Sequence, residues 1–317
     1  MGDVYLDKIY STDINLTNYV FNLEYPLSSR GTPHPQKINL IQSESFILET
    51  FGKYPVAVCL ANNHIMDYGE EAFLDTLTFL NENGIKSFGC GSDADNFSNP
   101  IFIEIDGRSL SLAGYSCRST SAVFGGIDKY GSAEIQLDRI KNDLNLSAAD
   151  YKIVQLHWGA EDVPFPRHED VELAHEIIDL GADLILGHHA HVVQSIEKYN
   201  EKWIFYGLGN CIFPNFNIKS YHDGKKFTRY SSKEQGKVNK QSLYLELTSN
   251  FDITVDKLLF EKGVLKFNDF AIPKYIPKTK DEFIKAYDRH KKHCMIRKLI
   301  SAPRVPSISD IKRFLSA

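Results

Sequence analysis

The 317-residue sequence has no CxxC pair, and its five cysteines, Cys59, Cys90, Cys117, Cys211 and Cys294, are odd in number and widely scattered. Neither a disulfide framework nor a zinc ribbon is indicated, and the thiols read as buried side chains. The chain does not open on a charged segment followed by an apolar one. No uninterrupted apolar run approaches the roughly 18 to 20 residues of a membrane-crossing helix. As written, the expectation is a cytoplasmic protein with no membrane span, membrane-associated or exported only if a further N-terminal segment exists. There is no internal repeat. A cationic excess is missing too: the net charge is -5, which argues against a general nucleic-acid binder. That balance hides an asymmetry, because residues 274–317 hold twelve Lys and Arg against four Asp and Glu. The acidic body and basic tail read as a domain and a solvated helical extension, the latter open to contact with an anionic partner.

What is present is enough apolar content, 43% of residues, to bury one large core. The reading is a domain over residues 1–273, its motifs within 1–215, and a basic, partly helical extension over 274–317. Short apolar runs bounded by turn residues alternate with helical patterns, the mark of an α/β domain with parallel pairing. Strands are expected at 19–24, 56–61, 101–105, 110–115, 153–157 and 184–187. The Asp106-Gly107 turn predicts an antiparallel hairpin between the third and fourth, so the sheet is mixed. Apolar spacing of three and four predicts helices over 42–51, 70–83, 132–144 and 168–180, with Gly84 and Gly181 as left-handed stops. A second hairpin, 192–198 with 203–206, turns around Asn200. Residues 215–240, rich in Lys, Ser and Tyr, read as a long surface loop. Strands resume at 242–248, 254–261 and 263–267, and 281–300 reads as a helix.

The side chains able to hold a metal fall where these strands end, which is where α/β sheets gather ligands. Asp3 and Glu24 supply carboxylates. Asn63 and His64 follow one strand, His157 ends another, and His188, His189 and His191 follow a third. Singly, each has a structural explanation: a hydrogen-bonded imidazole, a solvated acid, a salt-bridge partner. Together, acids, amide and imidazoles in this order suit two divalent ions held close together. His64, next to the ligand candidate Asn63, is placed to protonate a leaving group.

The stretches Gly2-Asp3-Val4, Asn22-Leu23-Glu24, Asn62-Asn63-His64 through Asp67 and Gly69, His157-Trp158-Gly159, Gly187-His188-His189-Ala190-His191 and Tyr206-Gly207-Leu208-Gly209-Asn210 resemble a known pattern. It is that of the calcineurin-like metallophosphoesterase superfamily, in its bacterial capsule-synthesis (CapA, poly-γ-glutamate) branch. The resemblance implies a four-layer α/β/β/α sandwich of two mixed sheets, with one or two divalent ions (manganese, iron or zinc) at one edge. By analogy Asp3 and His191 bind the first ion, Glu24 bridges, and Asn63, His157 and His189 bind the second, with His64 as catalytic acid. His188 is either an alternative ligand or a residue behind the ligands.

Two departures stand out. Tyr5 occupies the place of the superfamily's Asp-x-His histidine, and no apolar strand precedes Gly2-Asp3, so Asp3 is expected to be held loosely. The implied activity is hydrolysis of a phosphoester or amide in capsule or poly-γ-glutamate metabolism, on an anionic polymer or phosphorylated small molecule. The competing expectation is a non-catalytic accessory protein that meets the capsule-synthesis machinery. Trp158, Arg118 and Arg167 are open as cleft-lining residues or as ordinary packed and solvated ones, and Lys37, His34 and His222 have no assigned role.

Overall fold

Alternation of side chains along short strands decides how the sheets stack. In Ala57–Cys59, Ala57 and Cys59 point one way while Val58 points the other, toward the cluster that also holds Leu60. In the computed structural model, which describes residues 1–301 and side chains as far as residue 296, this strand lies in a five-stranded parallel sheet. Its order is Asn210–Ile212, Asp3–Val4, Val20–Leu23, Ala57–Cys59, Lys86–Phe88. A six-stranded sheet runs Ile196–Tyr199, Lys202–Phe205, Leu184–His188, Tyr151–His157, Arg108–Ser116, Ile101–Ile105. Its four central strands are parallel, and each outer strand pairs antiparallel through a hairpin. Of these two sheets only the second is mixed. The first is joined entirely by crossovers, which enforce parallel pairing.

Ala57, Cys59 and Phe88 of the first sheet share one apolar cluster with Leu112, Ile153, Leu184 and Phe205 of the second. Phe21, Leu23 and Val58 pack instead with Ile47 and Phe51 of α1 (Ile47–Phe51) and Phe73 and Leu80 of α2 (Gly69–Glu82). Val154, Leu156 and Ile185 pack with Ile140 and Leu144 of α3 (Leu137–Leu146) and Ala174 and Ile177 of α4 (His168–Asp179). The buried positions of α2 and α4 recur every three or four residues, and Gly84 (φ 68°) and Gly181 (φ 109°) take the left-handed turn after each. A four-stranded sheet, Gln241–Leu247, Ile253–Glu261, Val264–Phe267 and Ser11–Thr12, follows, and α5 spans Lys280–Ser301. Among the described residues no helix is long and apolar enough to cross a membrane. The part of the basic extension beyond residue 301 lies outside the described residues.

Three expectations change. The helix over 42–51 shrinks to α1, because the Gln42 backbone is taken by Pro26 and Ser28 in a bridge beside Leu27. The helix over 132–144 begins five residues late, since Gly131–Ser132 pairs with Cys90–Gly91 and the Ile135 N–H donates to the Ser116 carbonyl. The surface loop over 215–240 contains a hairpin, Phe216–His222 with Phe227–Lys233. Its first strand alternates half-buried Phe216 and Ile218 with exposed Asn217 and Lys219 over only four residues, and its second is mostly polar and exposed, which hid the pairing.

Candidate metal centre

Asp3 is held firmly, contrary to the loose attachment expected of it. The Asp3–Val4 strand is flanked on both sides, by Asn210–Ile212 and Val20–Leu23, and the Asp3 N–H donates to the Gly209 carbonyl at 3.0 Å. Glycine is required just before it, because a Cβ on Gly2 would sit 1.9 Å from that same carbonyl oxygen. The Asp3 carboxylate is fully buried. Its Oδ1 accepts from Asn22 Nδ2 at 2.9 Å and faces His188 Nδ1 at 2.7 Å, and its Oδ2 accepts from the His189 N–H at 3.2 Å.

Glu24, equally buried, lies between two imidazoles. Oε1 is 3.6 Å from His157 Nδ1 and accepts from Asn22 Nδ2 at 3.0 Å, while Oε2 is 3.8 Å from His191 Nε2. His157 Nε2 faces Asn63 Oδ1 at 2.9 Å, and the rings of His157 and His189 have centroids 4.8 Å apart. His191 Nδ1 meets Asn210 Oδ1 at 2.9 Å and stands 3.6 Å from Asp3 Oδ2. Single ligand atoms of Asp3, Glu24 and His157 fall within 4.8 Å of one another. His189 (φ 80°) and His191 (φ 54°) adopt left-handed backbone. This is costly for side chains other than glycine and characteristic of sites where geometry outranks stability. Close packing behind the turn is enforced at Gly187, where a Cβ would lie 1.9 Å from the Tyr206 carbonyl oxygen.

The electrostatics are those of a centre short of positive charge. Burial raises Asp3, but His188 and then His191 outweigh it and hold the carboxyl below its ordinary value. Burial, then the charge of Asp3, pushes Glu24 well above. Burial followed by repulsion from the other imidazoles holds His157 well below the usual histidine range. Burial lowers His189 to about 3, against the pull of Glu161. Glu24 Oε2, His188 Nε2 and His189 Nδ1 are buried with no hydrogen-bond partner. Orphaned polar atoms in a pocket with two carboxylates are the pattern expected of ligands, since burying them unpartnered is costly. The donor set, carboxylate oxygen with imidazole nitrogen, fits manganese, iron or zinc.

His64 stands one residue beyond Asn63. The Asn62 side-chain oxygen accepts from the N–H groups of His64 and Ile65, both at 2.9 Å, fixing the turn. His64 Nδ1 faces Asp67 Oδ2 at 2.6 Å. Asp67, fully buried, also accepts from the Leu40 N–H at 2.7 Å, and its Oδ1 lies 2.6 Å from Lys37 Nζ in an ion pair that is not aligned as a hydrogen bond. Lys37 Nζ in turn donates to the Asn63 carbonyl. Burial, with the Lys37 charge, carries His64 below its ordinary pKa even against Asp67.

The expected site residues thus come to one place. Asn22, which donates to both carboxylates, Asn210 and Asp67 stand inside the motifs quoted above without a role that the sequence alone reveals, and Lys37 had none. The other open residues have ordinary structural partners. Trp158 is buried and donates from Nε1 to the Tyr206 carbonyl at 2.9 Å. Arg118 is paired with Glu134, and Arg167 with Asp170.

A buried cluster of acids, amides and imidazoles at the carboxyl ends of parallel strands, in a mixed α/β fold, is the arrangement of a candidate metal centre. Residues 9–215 match the family described as bacterial capsule synthesis protein PGA_cap. The chain belongs to that family. It is 29% identical over 225 residues to the capsule biosynthesis protein CapA of Bacillus anthracis, covering 67% of this chain and 54% of that one. It is 29% identical over 175 residues to a probable polyglutamine synthesis accessory protein of Mycobacterium tuberculosis, covering 50% of this chain and 45% of that one. The chain therefore spans about half the length of these curated relatives. A 5'-nucleotidase precursor from Thermus thermophilus aligns with a TM-score of 0.37 at 15% identity, over 76% of this chain and 44% of that one.

Proposed function

We propose that this chain is a metal-dependent hydrolase that cleaves a phosphoester or amide linkage in capsule or poly-γ-glutamate metabolism. The observation that carries the reading is the trio of orphaned buried atoms, Glu24 Oε2, His188 Nε2 and His189 Nδ1, around two buried carboxylates. Asp3, with His188 and His191, forms one half of the centre, and Asn63, His157 and His189 the other. Glu24 stands between them, one oxygen toward each. Divalent ions held there would polarise the scissile bond and make water a nucleophile at neutral pH. Asn22 fixes both carboxylates through one amide. With His64 Nδ1 occupied by Asp67, Nε2 is the nitrogen left to face the departing group, and it hands over a proton from the doubly protonated ring, the form that the Asp67 charge favours. The same reading takes the fold as a four-layer α/β/β/α sandwich, supported by one cluster shared between the sheets and two against helices.

The test is metal analysis of the purified protein, paired with hydrolysis of an aryl phosphate and of a γ-glutamyl substrate. Two ions per chain and turnover that disappears in His64→Ala are expected. Metal-free protein inert toward both substrates sinks the proposal. A second reading, an accessory protein of polymer assembly that keeps the fold without turnover, is favoured by Tyr5 standing where a histidine ligand would be. The name of the mycobacterial relative points the same way. It predicts that His64→Ala leaves polymer production unchanged.

A further inference from the structure

The loop that follows His157 has two sides. One side is tied to the candidate metal centre: the Asp162 N–H donates to the Ala190 carbonyl at 2.8 Å, and Gln194 Nε2 donates to the carbonyls of Val163 and Phe165 at 2.8 and 3.0 Å. The other side faces α5, whose His290 Nε2 lies 2.9 Å from the Asp162 carbonyl oxygen. Between this loop and α5 opens a cleft of about 520 Å³. Its floor is aromatic, formed by Phe165 edge-on to Tyr275 at 5.4 Å.

The wall of the cleft is one face of α5. Glu282, Lys285, Ala286, Arg289, His290 and His293 all line it, and their spacing of three and four residues is that of a single helical stripe. Lys285 and Arg289 bring two fixed positive charges. No ion pair among the described residues engages either of them. The one acid, Glu282, is turned to the backbone, accepting from the Lys278 N–H at 2.8 Å. An aromatic floor under a cationic wall suits a chain that alternates short aliphatic segments with anionic groups, since the stems of Lys and Arg and the ring faces cover methylenes while the charged heads meet acids. Residues 302–317 carry three cations and one acid, so the chain's own sequel is a poor electrostatic match.

We propose that this cleft is a binding site for an anionic oligomer, separated from the candidate metal centre by the loop that follows His157. Apart from Phe165, the lining residues, Tyr275 and the face of α5, lie beyond the matched family segment of residues 9–215. It is therefore an addition to the shared metal centre, and binding there does not require that the centre turn over.

The experiment uses the full chain and a fluorescently labelled decamer of γ-linked glutamate, read by anisotropy. Lys285→Glu with Arg289→Glu is expected to weaken binding by about tenfold or more, because two attractive contacts become repulsive. Lys291→Glu with Lys292→Glu makes the same change of net charge away from the cleft and should weaken binding far less. Lys285→Gln with Arg289→Gln serves if the acidic variant does not fold, as judged by melting temperature and metal content. Competition by polyphosphate of equal charge would identify the recognised group as any dense anion, and failure to compete would identify the carboxylate; either supports the cleft. Unchanged affinity in the cleft variants overturns the proposal, as does an equal loss in the outer-face control. Neither result touches the hydrolase reading, which is measured on small substrates.

Discussion

Replacing Asp67 by Asn removes one charge and almost no volume, so it isolates what that charge does. In the native protein Asp67 is fully buried between His64 Nδ1, Lys37 Nζ and the Leu40 N–H. Lys37 is itself only 11% exposed at its side chain. The asparagine oxygen still accepts one hydrogen bond, but the ammonium loses its counter-charge. Breaking a buried ion pair from one side costs about 3–5 kcal/mol, and the residual exposure of Lys37 places the expectation at the lower end, about 3 kcal/mol. For a domain of roughly this size each kcal/mol lowers the melting temperature by about 2–4 °C, giving a drop of roughly 6–12 °C. The assay is thermal or urea unfolding of four proteins: parent, Asp67→Asn, Lys37→Met and the double variant. Removing both partners should recover most of the loss, because no unpaired charge remains. If Asp67→Asn melts within about 2 °C of the parent, or the double variant loses the full sum of the single losses, Asp67 and Lys37 are not coupled as described. Activity supplies a second readout, since Asp67→Asn should lower turnover through His64 orientation while Lys37→Met changes it less.

Metal should stabilise the fold, because among the described residues the buried acids Asp3 and Glu24 form no ion pair with Lys or Arg: manganese or zinc at a hundredfold excess over its dissociation constant should add about 2.7 kcal/mol, and a chelator should reverse it. No shift in melting temperature with any divalent ion would contradict the fit of this donor set. Gly187→Ala should be strongly destabilising, by about 3 kcal/mol or more, since its Cβ would meet the Tyr206 carbonyl oxygen at 1.9 Å. A variant with native stability would show that this turn yields. Burial pushes the thiols of Cys59 and Cys211 up to about 12. At pH 8 a thiol four units below its pKa is roughly one part in ten thousand thiolate, so both should resist iodoacetamide in the folded protein and react on unfolding. Cys117 and Cys294, both half-buried, should react first. Native labelling of Cys59 would refute its burial.

Strand positions were legible because their signal is local: Ile101–Ile105, Tyr151–His157 and Leu184–His188 are apolar runs between turn residues, and the Asp106-Gly107 turn announced its hairpin. The start of α3 was not legible, because a contact with Cys90–Gly91 decides it and nothing in residues 132–136 reports that partner. The hairpin at Phe216–Lys233 was missed because its apolar period is only Phe216 and Ile218, and the partner strand is mostly polar and exposed. For the candidate metal centre, residue type at strand ends was enough to single out Asp3, Glu24, Asn63, His157, His189 and His191, which the fold places near one another. Asn22 and Asn210 stood in the quoted motifs without a role, since each holds other site residues and that role shows only once those neighbours are placed. Asp67 and Lys37 lie 30 residues apart, and only the folded loop 33–42 reveals the pair.

The hydrogen bond between the His189 N–H and Asp3 joins residues 186 positions apart in sequence. At about 5–20 residues per second of synthesis, Asp3 leaves the ribosome roughly 10–40 s before its histidine partners do. For that interval the nascent chain carries two carboxylates, Asp3 and Glu24, destined for full burial yet without the imidazoles that complete their surroundings. The first sheet cannot close around Asp3 until Asn210–Ile212 is made. Assembly of the centre is thus a late event, and chains truncated before residue 212 should emerge with the acids exposed and no competence to retain an ion.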